Sequence, residues 1–342
     1  MNNDSYTAQR DLEAYCSNTP LHPRGGSPSL PQKRRIPAIL FLLPVAVIVA
    51  GARTPARAES DSARVDRLFM WASSGEVRFL EKVSPAKDSL AAMGENGARW
   101  LARKMDATDA RERRTLADIF ERIGSPGAAF LVPYLDSAGI YMPQNAARCL
   151  GLAKDTSAAL PLTRKLDHSY YGVRSEVATA LGKIADRRGV SPILDQLSGE
   201  EDSDVRKSCV VSLGLIGDSQ ATDALIGTLS DPFFGVRQTA VISLGQIKPP
   251  PVARLIASVR DLTGIGLHGA LVALGRCDDA KARKLLNGML ENPSPLIRGF
   301  AIEGLSAHPD KHVVNRAGKL KKVEKDPFVL AQIARLEQRR SP

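Results

Sequence analysis

Apolar residues recur along the chain at the spacing of amphipathic helices, and this helical pattern itself repeats about every 31 residues. In DSDVRKSCVVSLGLIGD, residues 202–218, apolar side chains at Val205, Cys209 and Leu213 share one face of a helix. A large apolar residue then recurs before and after Leu213 at steps of 30 to 32 residues. The series consists of Leu90, Phe120, Leu150, Leu181, Leu213, Leu244, Leu274, Leu305 and Leu336. Such a series predicts stacked repeats.

Each repeat begins with a polar turn and contains two helices, which we call A and B. Turns such as DSDVR at 202–206 and NPSPLIR at 292–298 place Asp or Asn before helix A, where the side chain can cap the first turn. Gly217 is predicted to end helix A, and Asp218 to cap helix B over 222–229. Two short helices cannot bury their apolar faces alone, whereas stacked neighbours can.

The predicted fold is therefore all-α. It is a solenoid of about eight helix pairs of 30–32 residues, covering residues 86–342. Residues 59–85 lie outside the series and are predicted to form amphipathic capping helices, which the ends of a solenoid require.

The unit VRKSCVVSLGLIGDSQATDALIGTL, residues 205–229, resembles HEAT repeats of the short kind found in phycobilisome lyases. The segments at 173–186 and 236–247 repeat it closely. The resemblance implies a superhelical scaffold that holds other macromolecules, with B helices lining its concave face. It leaves open an enzyme or chaperone-like activity resembling that of bilin lyases, because the recurring residues are those that pack.

The N-terminal residues differ in composition from the repeats. Residues 1–35 are polar and rich in Pro, Ser and Asn, which predicts a disordered leader. A basic KRR triplet then precedes an uncharged apolar run of 17 residues, 36–52, and an A-x-A sequence ends at Ala58. Residues 36–58 therefore predict a signal peptide or an uncleaved anchor. We expect the rest of the chain to be exported, periplasmic or secreted, or membrane-associated through 36–52.

The formal net charge is +10, and the excess lies in the C-terminal third. Residues 248–325 hold 14 Lys and Arg against 7 Asp and Glu, whereas residues 59–247 hold 23 against 25. Six cations occupy outward positions of the predicted B helices: Arg254, Lys281, Lys284, Arg316, Lys319 and Lys322. They form either a binding face for an acidic protein partner or an ordinary solvated surface.

A second set of cations recurs at the period of the repeat. It consists of Arg174, Arg206, Arg237 and Arg298, with His268 in register. A stripe for an anionic ligand is one interpretation. Ion pairs to the Asp residues of neighbouring turns are favoured instead, because the spacing is that of the repeat.

Two short motifs suggest ligand sites but lack the context for them. GIGLHG at 264–269 matches a dinucleotide-binding pattern, yet a helix B rather than a strand precedes it, so an inter-repeat turn is predicted. His308 and His312 are spaced for metal binding, but no third ligand is apparent and surface histidines are predicted. Some HEAT-repeat proteins are di-iron hydroxylases with His-Glu pairs, and none of the five histidines here is followed by Glu.

The remaining chemistry points away from catalysis. Cys209 and Cys277 fall on apolar positions and are predicted to be core thiols. Aromatic residues do not alternate with basic ones in 248–325, so nucleic acid is not an expected partner. We therefore predict no catalytic, metal-binding or cofactor-binding residue. The predicted function is that of a non-enzymatic scaffold that binds a protein partner.

Overall fold

The computed structural model describes residues 59–338, which form α-helices, short 3₁₀ segments and no strand. Within this range there are seventeen α-helices. They are α1 (Asp61–Ser73), α2 (Leu80–Ala92), α3 (Gly94–Leu101), α4 (Ala110–Ile123), α5 (Tyr141–Ala153), α6 (Ala159–Thr163), α7 (Tyr171–Ile184), α8 (Val190–Gly199), α9 (Ser203–Ile216), α10 (Thr222–Thr228), α11 (Phe234–Gln246), α12 (Val252–Ser258), α13 (Gly264–Arg276), α14 (Ala280–Met289), α15 (Pro295–Leu305), α16 (Lys311–Lys321) and α17 (Pro327–Gln338). The predicted all-α solenoid is confirmed.

From α5 onward the A and B helices alternate. The odd-numbered helices α5 to α17 are A helices, and each packs on the A helices of the neighbouring repeats. The even-numbered helices α6 to α16 are B helices, which pack mainly on the A helices beside them. We call these two sets the A layer and the B layer. In the repeat of α4, the 3₁₀ segments Ser125–Phe130 and Val132–Asp136 take the place of a B helix.

The series of apolar residues forms the centre of the core. Phe120 and the eight leucines of the series are at most 3 % exposed. Because one such residue comes from each repeat, a single hydrophobic cluster runs the length of the described array. Helices α1, α2 and α3 cover its N-terminal end. Capping helices were expected at 59–85, and α2 continues to Ala92, so that it also carries Leu90 of the series.

The polar turns act as predicted. The Asp202 carboxylate accepts hydrogen bonds from the backbone N–H groups of Asp204 and Val205, at 2.9 and 3.1 Å, and so caps α9. At the other end, Gly217 adopts a left-handed φ of 70° and its N–H donates to the Leu213 carbonyl. Asp218 then caps a single 3₁₀ turn that leads into α10.

Neighbouring A helices approach so closely that there is no room for a side chain at the glycine after the buried leucine. A Cβ atom on Gly182 would lie 2.6 Å from Cα of Ser212, and one on Gly214 would lie 2.8 Å from Cα of Ser243. The two serine hydroxyls donate across the same contacts to backbone carbonyls of the preceding A helix, at 2.6 and 2.8 Å. The A layer is therefore held by direct backbone contact.

The GIGLHG segment lies within a helix, so the prediction of an inter-repeat turn was wrong. Gly264 begins α13 with φ of 51°, and residues 264–269 form its first turns. Gly266 and Gly269 lie against side chains of Ser230 and Leu229, which explains the glycines by packing. Helix α12 precedes the segment, so the strand that a dinucleotide site needs is not there.

The predicted leader (1–35) and signal or anchor segment (36–58) lie outside the described residues. Among residues 59–338, no helix has both the length and the apolar character to cross a membrane.

The close contacts at the A-layer glycines predict that alanine, although it favours helix, destabilises the protein there. We expect Gly214→Ala to lower the free energy of unfolding by about 1–3 kcal/mol, because the new methyl group overlaps Ser243. The matched control is Gly227→Ala in α10, where a Cβ would have no neighbour within 4 Å. There we expect a gain of up to about 1 kcal/mol from helix propensity. Urea unfolding followed by circular dichroism measures both, and a Gly214→Ala variant as stable as the wild type would contradict the packing.

Candidate functional site

Three of the four recurring arginines tie consecutive repeats together. Arg206 in α9 donates from Nη1 to the carbonyls of Glu200 and Glu201 in the turn before its own helix. Its Nε and Nη2 donate to the two oxygens of Asp231 in the next turn, at 2.8 and 3.1 Å. Arg174 makes the same contacts with Glu200, and Arg298 makes them with Glu324. The predicted inter-repeat ion pairs are confirmed, with the expected Asp for Arg206 and a Glu in its place for Arg174 and Arg298.

These pairs are shielded from water. The side chains of Arg206 and Asp231 are 13 % and 8 % exposed, respectively. At the C-terminal end, hydrogen bonds from Arg298 lower the pKa of Glu324 to about 2, against the opposing effect of burial and with help from the N–H groups of Asp326 and Lys325. We call Arg174, Arg206 and Arg298, each with its turn contacts, the arginine ladder.

Arg237 departs from the ladder. Its Nη1 donates to the carbonyls of Asp231 and Pro232, at 2.7 and 2.9 Å, as in the other copies. Its Nε and Nη2 have no carboxylate partner among residues 59–338. Asp261 stands in the following turn, but no ion pair joins it to Arg237 within residues 59–338. The edge of Arg237 that binds a carboxylate in three other repeats is therefore open here.

A small cavity, which we call the Arg237 pocket, lies beside this guanidinium between α11, α13 and α15. Its volume is about 60 Å³, room for a few water molecules or a side-chain group. On one wall, His268 Nε2 lies 2.9 Å from Glu303 Oε2, and the imidazole stacks on Phe300 with ring centroids 4.3 Å apart. The lining residues are Phe234, Arg237, Gln238, Val241, Ile265, His268, Gly269, Val272 and Glu303.

Exposed apolar residues mark the A helices around this pocket. Phe234, Ile265 and Leu296 are 65 %, 52 % and 58 % exposed, and each stands at the first or second residue of its A helix. They are spaced by 31 residues, a signal that the sequence carries but that our prediction did not use. In α9 the corresponding residue is Ser203. An apolar edge is therefore confined to particular repeats.

The six predicted B-helix cations divide into two groups. Arg254 and Arg316 are tied to the preceding B-layer segments, Arg254 to Asp223 at 2.6 Å and Arg316 to Glu291 at 2.7 Å. The other four are exposed and have no ion-pair partner within residues 59–338. They are Lys281 and Lys284 in α14, Lys319 in α16, and Lys322 directly after α16. We call these four residues the lysine face.

The two layers differ in crowding. Outward residues of the A helices, such as Lys183, Lys207 and Gln246, are half-buried, whereas outward residues of the B helices are mostly exposed. Crowding is greater on the inner side of a bent stack, and the close glycine contacts shorten the A side. These observations indicate the A layer as the inner layer. The resemblance had implied the B helices, and this implication is corrected.

Comparison with known families accounts for the repeat. A model of HEAT repeats matches residues 128–207 and 190–264. Residues 128–264 of the chain are therefore HEAT repeats. Among curated proteins, none matches its sequence.

Solved structures similar to this HEAT-repeat protein include an engineered protein, with 20 % identity over 83 % of this chain and 86 % of that chain and a TM-score of 0.44. YibA of E. coli is 16 % identical over 75 % of this chain and 97 % of its own, with a TM-score of 0.44. The complex of CpcE and CpcF of phycocyanin lyase from Nostoc sp. PCC7120 is 17 % identical over 80 % and 100 %, with a TM-score of 0.33. Scores of this size do not define a shared function.

The thiols of this HEAT-repeat protein belong to the hydrophobic core. Cys149, Cys209 and Cys277 are buried, as predicted for the last two, and burial raises the pKa of each thiol to about 12. A protonated buried thiol is a poor nucleophile.

His308 and His312 flank Asp310, whose carboxylate caps α16 through the Val313 N–H at 2.7 Å. In the described range, no group of three or more His, Cys, Asp or Glu residues is placed to hold a metal ion.

The arginine ladder predicts unequal costs for the same substitution. We expect Arg206→Gln to lower the free energy of unfolding by about 2 kcal/mol, between the values for exposed and buried pairs, because it leaves Asp231 without its partner. We expect Arg237→Gln to cost about 1 kcal/mol, since it removes only hydrogen bonds to carbonyls. Urea unfolding of the two variants is the test, and equal losses would show that Arg237 has an internal acidic partner.

The pKa of Glu324 predicts a pH dependence. Its folded pKa of about 2 lies below the ordinary value near 4.5, so its contribution to stability is present above pH 4.5 and is lost as the pH falls toward 2. We expect Glu324→Gln to be less stable at pH 7 and to lose less stability than the wild type between pH 4.5 and pH 2. Thermal unfolding across this range measures the difference. Parallel curves for the two proteins would contradict the assignment.

Proposed function

We propose that this HEAT-repeat protein is a non-enzymatic scaffold that binds a protein partner with an acidic surface. Stacked helical repeats present long surfaces that suit protein–protein interaction. The observation that carries the proposal is the lysine face, in which four exposed ammonium groups have no ion-pair partner within the described residues. A charge that is already paired must give up its internal partner before it can bind another protein. The four lysines do not carry this cost, in contrast to Arg254 and Arg316.

The position of the lysine face supports an acidic partner. Lys281 and Lys284 lie one turn apart on α14, and Lys319 and Lys322 have the same spacing at the end of α16. Side chains three residues apart share one side of a helix, so each helix presents two charges together. Clustered exposed charge attracts an oppositely charged surface over roughly 10 Å at moderate ionic strength.

Export or anchoring forms part of the same proposal. It is supported by the sequence of residues 36–58, with its basic flank, apolar run and A-x-A end. The N-terminal mass of the protein purified from its native host distinguishes a cleaved signal from an anchor. An intact N-terminus in a soluble cytosolic fraction would refute both.

An activity resembling that of bilin lyases is the alternative. It requires a pocket with converging polar groups, and typical ligand pockets have volumes of about 300–1,000 Å³. The Arg237 pocket, at about 60 Å³, is smaller than this range. A depression between α6 and α8 has a volume of about 440 Å³, which lies within this range. Its charged residues are Arg164, Asp167 and Asp195, so its lining is acidic on balance. We therefore favour the scaffold.

Charge reversal tests the lysine face. We expect Lys281→Glu/Lys284→Glu and Lys319→Glu/Lys322→Glu each to weaken binding of an acidic partner at least tenfold, and wild-type affinity to fall as salt is raised. Partners identified by affinity capture and mass spectrometry are purified and titrated by calorimetry. The control, Arg99→Glu/Arg114→Glu, makes the same change in net charge at exposed positions of α3 and α4. Salt-independent binding, or equal losses in the control, would rule out the lysine face.

A further inference from the structure

We infer that Arg237 binds a carboxylate on a partner polypeptide, in a segment whose neighbouring apolar side chains contact Phe234, Ile265 and Leu296. The inference rests on the proposed scaffold function and adds a second contact surface, on the A layer. Its occupant is an extended peptide with an acidic residue flanked by apolar residues.

The repeats themselves supply the chemical argument. In Arg174, Arg206 and Arg298, Nη1 is fixed by two carbonyls, and the Nε–Nη2 edge then receives a carboxylate with N···O distances of 2.7 to 3.1 Å. Arg237 has the same fixed Nη1 and the same backbone setting. Its Nε–Nη2 edge is therefore held in the orientation that binds carboxylate elsewhere in this chain, and a bidentate pair is the strongest contact available to it.

Two acidic residues lie nearby, and neither is paired with Arg237. Asp261 lies in the turn where a partner is expected, but no ion pair joins it to Arg237 within residues 59–338. Glu303 lines the same pocket, but its carboxylate lies 2.9 Å from His268 Nε2. A carboxylate that enters from outside therefore meets Arg237 without displacing an internal ion pair.

The surroundings explain why the carboxylate belongs to a peptide with apolar neighbours. Phe234 and Ile265 line the pocket beside the guanidinium, and Leu296 stands at the same position of the next A helix. Each of the three exposes more than half of its surface. Apolar side chains of a ligand would cover them and exclude water, which strengthens the charged hydrogen bonds. The pocket of about 60 Å³ admits a side-chain carboxyl group and excludes a bulky cofactor. The spacing of the apolar residues along successive repeats suits an extended chain that crosses them.

The probes are two peptides that differ in one group, Ac-Leu-Glu-Phe-NH₂ and Ac-Leu-Gln-Phe-NH₂, with acetate as a third probe. The protein carries ¹⁵N-labelled arginine, so the Nε–Hε signals of Arg237 and Arg206 report separately on an open and an internally paired guanidinium. We expect the Glu peptide to shift the Arg237 signal saturably and the Arg206 signal not at all. We expect the Gln peptide and acetate to bind at least tenfold more weakly, because each lacks one part of the contact.

Five variants complete the test. Arg237→Gln should weaken binding of the Glu peptide at least tenfold while the far-ultraviolet spectrum stays unchanged, and Phe234→Ala should weaken it through the apolar contact. The lysine-face variants should bind the Glu peptide as the wild type does, so failure of the scaffold proposal and failure of this inference can be told apart. Equal binding of the Glu and Gln peptides would overturn the inference. A change of the free Arg237 signal in Asp261→Asn would overturn it too, because it would reveal an internal pair.

Discussion

The close contact between neighbouring A helices is the constraint on which the rest of the structure depends. At Gly182 and Gly214 the backbone of one helix occupies the space that a Cβ would need, and the facing serines donate their hydroxyls to the preceding helix. A closely spaced A layer beside a layer of short B helices bends the stack, which leaves the A face crowded and the B face open. The glycines thus determine more than local packing, because they decide which surface is recessed and which side chains remain fully hydrated.

Glycine contacts set the distance between repeats, but they contain few polar groups and cannot fix the register of the turns. The arginine ladder does this, since each guanidinium holds the turn before its own helix with Nη1 and the next turn with Nε and Nη2. A repeated structural interaction also creates a site wherever one partner is missing. Arg237 keeps the hydrogen bonds from Nη1 that orient its guanidinium but lacks the carboxylate that would neutralise its charge. A residue with a structural role in the other repeats is therefore a candidate for ligand recognition here.

The sequence allowed much of the fold to be predicted, because the deciding interactions are local or follow the repeat period. The buried leucines, the Asp202 and Asp218 caps and the arginine pairs are all of this kind. The turn at 264–269 was predicted wrongly because glycine is common both in turns and where helices approach closely, and only the positions of Ser230 and Leu229 distinguish the two. The pairing of Arg254 and Arg316 depends on the residue facing each from the preceding B-layer segment, and the open edge of Arg237 depends on the lack of a carboxylate within ion-pair distance in residues 59–338. The periodicity of the sequence does not reveal either of these pairings.

The two candidate surfaces lie in neighbouring repeats but on different layers, and they select partners by different physics. The lysine face consists of flexible, hydrated ammonium groups, whose attraction is long in range, weakly directional and screened by salt. The Arg237 edge is a fixed guanidinium beside apolar side chains, whose attraction is short in range and depends on geometry. Salt dependence and sequence dependence of binding should therefore separate in this protein, the first following the lysines and the second following Arg237.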